Sequence, residues 1–280
     1  MTHDTGSLTS SDGTTLFTRH WRPDGEARAL VVLVHGLHEH SGRYAYLASA
    51  LMRRGLAVHA LDLRGHGQSE GRRGQVDHVD EFVDDVHALL REAREEAGDR
   101  PLFLLGHSMG GLVAALYVVE RGTDGLAGVV LSSPALADDA PAFLKKLAPV
   151  LARWLPNLPA QPLDLSGLSR DPVVERQYRE DPLTLKQGIR ARLAAELLKG
   201  MDRVRRRPEA FDAPLYLFHG TDDAIVPDSG TAWLAEHAAS DDVTLRLWDG
   251  LYHETMNEPE RDEVIAALAD WLDAHVGAPA

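Results

Sequence analysis

Leu102-Phe103-Leu104-Leu105-Gly106-His107-Ser108-Met109-Gly110-Gly111 is the stretch from which the rest of the chain can be read. An apolar run enters a glycine, passes through one serine and leaves through two more glycines. Helical spacing follows at Leu112, Ala115, Leu116 and Val119. The order is strand, sharp turn, helix, with Ser108 at the tip. Gly106-His107-Ser108-Met109-Gly110 fits the pattern G-x-S-x-G, in which a strained turn exposes a serine hydroxyl at a strand end. The glycines two before and two after the serine remove side chains that would collide in so tight a turn. A plainer reading is a helix entry with a capping serine; the strand–turn–helix context favours the nucleophile.

Composition narrows the field. The chain has 280 residues, enough for one α/β domain with an insertion. Lysine and arginine number 29 against 43 aspartates and glutamates, a net charge of −14 that argues against nucleic acid as a main partner. With no cysteine, disulfides, thiolate catalysis and thiolate metal sites are excluded. The polar start, Met1 to Ser10, lacks the apolar segment of a signal peptide, and no run suits a membrane span. A cytoplasmic, soluble protein is the expectation.

Outward from the elbow, strands and helices alternate. Asp12-Gly13 predicts a hairpin turn within Ser7 to Trp21. Ala29–Val34, Leu56–Leu61 and Leu126–Leu131 are continuous apolar runs, as in strands covered on both faces. Helical spacing marks Tyr44 to Arg54 and Val79 to Glu96. Right-handed crossovers then give a mostly parallel, doubly wound α/β sheet, with function at the carboxyl ends of its strands. From Pro134 to Arg207 the rhythm breaks: eight prolines occur and the spacing becomes helical. We read 1–133 and 208–280 as the α/β catalytic domain and 134–207 as an inserted helical cap. Within the cap, Phe143, Leu144, Leu147, Leu151, Trp154 and Leu155 form one stripe, mostly packed on the domain beneath. Pro149 is expected to split it into two short helices, and Leu183 to Met201 to form another. The strand rhythm resumes at Pro214–Phe218 and Val243–Trp248, with helices around Ser229–His237 and Pro259–His275.

A serine hydroxyl needs a base, and the base needs an orienting acid. His219-Gly220-Thr221-Asp222-Asp223 follows one late strand, and Asp249-Gly250-Leu251-Tyr252-His253 follows the last. The order serine, acid, histidine is that of the α/β-hydrolases. Either Asp222 or Asp223 can serve as the acid on residue chemistry alone. For the oxyanion, the backbone N–H groups of Met109 and of Leu37, after the strand ending at Val34, are the expected donors. His38-Glu39-His40 lacks the spacing of a helical zinc motif, and Arg203 to Arg207 reads as a solvated helix end.

Taken together these motifs resemble the monoacylglycerol lipases, α/β-hydrolases with lysophospholipase-like relatives. The matching stretches are His35-Gly36-Leu37-His38-Glu39-His40-Ser41-Gly42-Arg43-Tyr44 and Leu61-Asp62-Leu63-Arg64-Gly65-His66-Gly67-Gln68-Ser69-Glu70-Gly71, with the elbow. Gly220 to Pro227 and Tyr252 to Glu258 complete the set. The resemblance implies Ser108 as nucleophile, Asp223 as acid, His253 as base, and the N–H groups of Leu37 and Met109 as oxyanion donors. It places Glu39 and Arg43 near the glycerol end of the substrate; a structural ion pair is the equal alternative. Mammalian members carry a histidine three positions past the catalytic one, where this chain has Met256. The implied reaction cleaves monoacylglycerols to fatty acid and glycerol through an acyl-enzyme, without cofactor or metal. Transient contact of the apolar cap with a membrane surface is also implied. Lysophospholipase or short-chain carboxylesterase activity is the alternative, and a non-catalytic ligand receptor on this fold the non-enzyme one.

Overall fold

The computed structural model describes residues 2–138, 141–161 and 164–277; side chains of Ala142, Leu144, Lys146 and Gln161 are outside the description. With Asp12-Gly13 at the bend, the largely polar, exposed β1 (Thr2–Thr9) pairs with the alternately buried β2 (Thr15–Arg22) as a hairpin. The predicted hairpin is thus present and longer than expected at its N-terminal end. The apolar runs follow as β3 (Ala29–Val34), β4 (Leu56–Leu61), β5 (Leu102–His107) and β6 (Gly128–Ser132), each wholly buried. Between them lie α1 (Ala45–Arg53), α2 (Asp80–Ala97) and α3 (Met109–Arg121).

After β6 come α4 (Ala142–Trp154), a short β7 (Pro159–Gln161), α5 (Pro172–Glu180), β8 (Ile189–Arg190) and α6 (Ala191–Arg205). The sheet then resumes through β9 (Leu215–Gly220), α7 (Ser229–His237), β10 (Val243–Trp248) and α8 (Arg261–His275). Eight strands stand in the order β1-β2-β4-β3-β5-β6-β9-β10; the β1–β2 and β2–β4 pairs are antiparallel and the others parallel. This is the mostly parallel α/β-hydrolase sheet expected from the sequence. One apolar layer joins the sheet to α2 and α3, and the other joins it to α1 and α8. Such two-sided cover is why β3 to β6 have no polar alternation.

Three expectations inside 134–207 need correction. Pro149 does not split its helix: α4 runs unbroken through it. Proline removes one intrahelical donor and frees the carbonyl four residues back; that carbonyl belongs to Lys145, an exposed residue. The stripe is also not mainly packed beneath. Phe143 is 62% exposed and Trp154 73%, and Leu147, Val150 and Leu155 are exposed too. The reason is layering: α4 packs on α6, and α6 packs on α3, so α4 is outermost. The helix expected over Leu183 to Met201 starts only at Ala191, beyond the Gln187-Gly188 bend.

Candidate active site

The turn after β5 carries the strain that its sequence predicts. Ser108 has φ 55° and ψ −119°, a left-handed conformation costly for a residue with a Cβ. Its N–H donates to the Ser132 carbonyl (2.9 Å), and its own carbonyl accepts from Leu112 N (3.1 Å) and Ala135 N (3.0 Å). The flanking glycines answer close approach. A Cβ on Gly106 would lie 2.3 Å from the Gly110 carbonyl oxygen, and one on Gly110 2.3 Å from the Val34 oxygen. The first substitution would push the start of α3 away from β5, and the second would push the elbow off the end of β3.

Three side chains from three strand ends then meet. Ser108 Oγ lies 2.8 Å from His253 Nε2, and His253 Nδ1 lies 2.6 Å from Asp223 Oδ2. Asp223, not Asp222, reaches the histidine; Asp222 is exposed in the turn, where its N–H donates to the Leu251 carbonyl. The Asp223 Oδ1 atom accepts from the N–H groups of Ile225 (2.8 Å) and Val226 (2.9 Å). Burial alone would raise the Asp223 carboxyl, but the His253 charge and these bonds hold it well below the usual range. Burial also works against a charged His253; Asp223 outweighs it and the net shift is upward.

Sequence reasoning missed three supporting groups. His219 Nε2 lies 2.9 Å from Asp223 Oδ2, and its Nδ1 lies 2.7 Å from Thr231 Oγ1. The aspartate therefore sits between two imidazoles. His107 stands beside His253, ring centroids 4.9 Å apart, and burial pushes it down to about 4. The Ser133 hydroxyl donates to the His253 carbonyl (2.9 Å). Their signal was position at a strand end, which fourteen histidines in one chain made hard to weigh.

Met109 opens α3, so its N–H has no acceptor within the helix. Leu37 lines, with Ser108 and His253, a cavity of about 120 Å³. Glu39 and Arg43 border the same cavity and also pair with each other. Arg43 donates to Glu39 Oε2 (2.5 Å) and to both carboxylate oxygens of Glu254 (2.7 and 2.8 Å). Glu39 Oε1 accepts from Gly36 N and the Tyr44 hydroxyl, 2.6 Å each. Burial pushes Glu39 up, but Arg43 overrides it and brings it down to about 2. The network ties the loop after β3 to the loop holding His253. Arg43→Ala would leave two buried carboxylates face to face, with an expected loss of about 3–5 kcal/mol, read by urea denaturation at neutral pH. Glu39 is depressed, so its share of stability is present above its unfolded value of 4.5 and fades as pH falls towards 2.

The predicted basic cluster is neutralised where it stands: Arg203 pairs with Asp80 and Glu120, and Arg206 with Asp202.

A hydroxyl, imidazole and carboxylate in series on an α/β-hydrolase sheet define the class of serine hydrolases. The family model described as "Serine aminopeptidase, S33" matches residues 25–260. The monoacylglycerol lipase of Mycolicibacterium smegmatis is 37% identical over 258 residues, 91% of this chain and 92% of that protein. Human monoglyceride lipase is 40% identical over 253 residues, 89% and 83% of the two chains. The crystal structure of Paleococcus ferrophilus monoacylglycerol lipase superposes with a TM-score of 0.81 at 35% identity, covering 98% of this chain and all of that one. The chain belongs to that serine hydrolase family and, within it, to the monoacylglycerol lipases.

Proposed function

We propose that this protein hydrolyses monoacylglycerols to fatty acid and glycerol through an acyl-enzyme on Ser108. The observation that carries the reading is the relay from Ser108 Oγ through His253 to Asp223, at 2.8 and 2.6 Å, beside a cavity of mixed lining. Charged Glu39, Arg43, Asp164 and Glu254 line it together with apolar Leu165, Leu168, Ile189 and Ile225. An ester with a hydroxylated head and a hydrocarbon tail matches that mixed lining.

In the reaction, His253 Nε2 accepts the Ser108 proton as Oγ attacks the ester carbonyl. The oxyanion rests on the N–H groups of Leu37 and Met109. His253 returns the proton to the leaving glycerol oxygen, and a water, activated by the same imidazole, releases the fatty acid. Asp223 holds the tautomer and offsets the imidazolium charge. Glu39 and Arg43 act by fixing the two loops around the glycerol end.

Residues 134–207 serve as the cap, and α4 is its outer face. An exposed row of Phe143, Leu147, Val150, Trp154 and Leu155 suits transient seating on a lipid surface. Among the described residues no helix is long and apolar enough to cross a membrane. Replacing Phe143 and Trp154 with serine is expected to weaken partition onto phosphatidylcholine vesicles several-fold and slow vesicle-borne substrate. Cleavage of a water-soluble short ester stays unchanged; equal partition of the two proteins would refute the docking role.

The pH profile carries a signed expectation. Only neutral His253 can take a proton, and its value lies above the ordinary 6.5. The acid limb of kcat/KM is therefore expected above pH 6.5, since that limb reports the free enzyme.

The deciding experiment for the substrate is a rate profile over monoacylglycerols of rising chain length, beside lysophosphatidylcholine and a triacylglycerol. Preference for lysophosphatidylcholine would favour the lysophospholipase reading. Best cleavage of short simple esters would favour the carboxylesterase. Absence of fluorophosphonate labelling at Ser108 would favour the receptor.

A further inference from the structure

Far along the sheet from Ser108, a second group of polar side chains is buried without serving the hydrolase. His20 on β2 and His59 on β4 are direct partners in the antiparallel register. Their rings meet edge to face, with centroids 4.5 Å apart. His59 is fully buried: its Nδ1 has no partner and its Nε2 has only the Glu96 carboxylate, 3.3 Å away; His20 Nδ1 is also unpaired, while His20 Nε2 meets Thr18 Oγ1 at 3.0 Å. Leaving such atoms dry and unpaired costs free energy, so a ligand here would meet an existing need.

The helix above supplies the anionic complement. Glu92 Oε1, on α2, lies 3.6 Å from His20 Nε2. One turn further on, Glu96 Oε1 lies 3.3 Å from His59 Nε2 but is already held by Arg22, at 3.1 and 2.7 Å. Arg22 also pairs with Asp4. The arginine charge is thus answered by Glu96 and Asp4, and Glu92 remains as the uncommitted carboxylate. The candidate donor atoms of His20, His59 and Glu92 all lie within 4.8 Å of one another. No other such grouping occurs among the described residues.

We propose that His20, His59 and Glu92 form a binding site for a divalent cation of the zinc class. Two imidazoles and one carboxylate are a ligand set that suits borderline metals such as Zn²⁺. Tetrahedral Zn²⁺ with bonds of about 2.1 Å sets its ligands about 3.4 Å apart. The widest separation in the group, within 4.8 Å, exceeds that by at most about 1.4 Å, Glu92 Oε1 already lies 3.6 Å from His20 Nε2, and the Glu92 side chain is 40% exposed. That exposure also provides the entry path and a place for water as fourth ligand. The metal would staple the antiparallel edge, β2 and β4, to α2. In sheet order β4 and β5 are separated by β3, so the metal takes no part at Ser108.

The test uses tag-free, full-length protein stripped with chelator and titrated with Zn²⁺ by calorimetry, with Co²⁺ as a spectroscopic substitute. One Zn²⁺ per chain, a rise in Tm and a tetrahedral Co²⁺ spectrum are expected. Glu92→Gln should weaken Zn²⁺ binding at least tenfold and abolish the Tm rise, while hydrolysis of a soluble ester stays at the parent level. His59→Gln should do the same; should it fold poorly, Glu92→Gln on the exposed side still decides. Absence of stoichiometric binding, or binding undiminished in Glu92→Gln, would overturn the proposal, the latter by assigning the metal to other histidines.

Discussion

Ser108→Ala is expected to lower kcat for monoacylglycerol hydrolysis by about 10⁴- to 10⁶-fold, because it deletes the atom that forms the acyl-enzyme. The fold should survive: alanine keeps a Cβ at the same left-handed φ, so the backbone strain is unchanged. What activity remains comes from the oxyanion donors and substrate binding. Single-turnover rates and loss of fluorophosphonate labelling check this, and a variant within tenfold of the parent would remove Ser108 from the mechanism. Ser108→Gly makes a companion measurement. Glycine adopts φ 55° without penalty, so it should be equally inactive yet more stable by about 1 kcal/mol. A stability gain that accompanies lost activity would show that the elbow stores strain for the sake of an exposed hydroxyl.

The second large effect falls on Asp223. Asp223→Asn should cost about 10⁴-fold in kcat, because the amide can no longer fix the tautomer of His253 or offset its charge. Asp222→Asn should stay near the parent rate, since that side chain is exposed in the turn. Interchanged outcomes would refute the assignment. The residual activity of Asp223→Asn adds a sign test. Asp223 raises His253, so its removal should carry the acid limb of the remaining kcat/KM to lower pH. A purely structural defect would reduce the rate without moving the limb.

Much of this arrangement was legible before any coordinates. The apolar runs at Ala29–Val34, Leu56–Leu61 and Leu102–Leu105 carry no alternation, and only strands covered on both faces read that way. Glycine spacing around Ser108 follows from contacts below 2.5 Å that any Cβ would make. The segment proposed as a cap was harder. Its expected limits rest on a change of rhythm, but proline and amphipathic spacing could not say which face of α4 would be covered. A stripe at helical spacing looks the same whether it meets a core, a membrane or solvent. The Phe143–Leu155 row reads as exposed only once α6 is seen to occupy the layer between α4 and α3.

The local sequence determined what is set by neighbours in the chain: strand runs, the strained elbow, and an acid and a histidine placed after later strands. Backbone sterics and hydrophobic period act over a few residues, so they can be read in order. The tertiary structure decided what depends on residues brought together from afar. It set Asp223 rather than Asp222 against His253, enclosed that carboxylate with His219, and joined Glu39, Arg43 and Glu254 into one buried network. It also set His20 beside His59 through a strand register that no local pattern encodes. Pairwise electrostatics and hydrogen bonding act over a few ångströms of space, whatever the separation in sequence, and only the packed sheet makes those distances short.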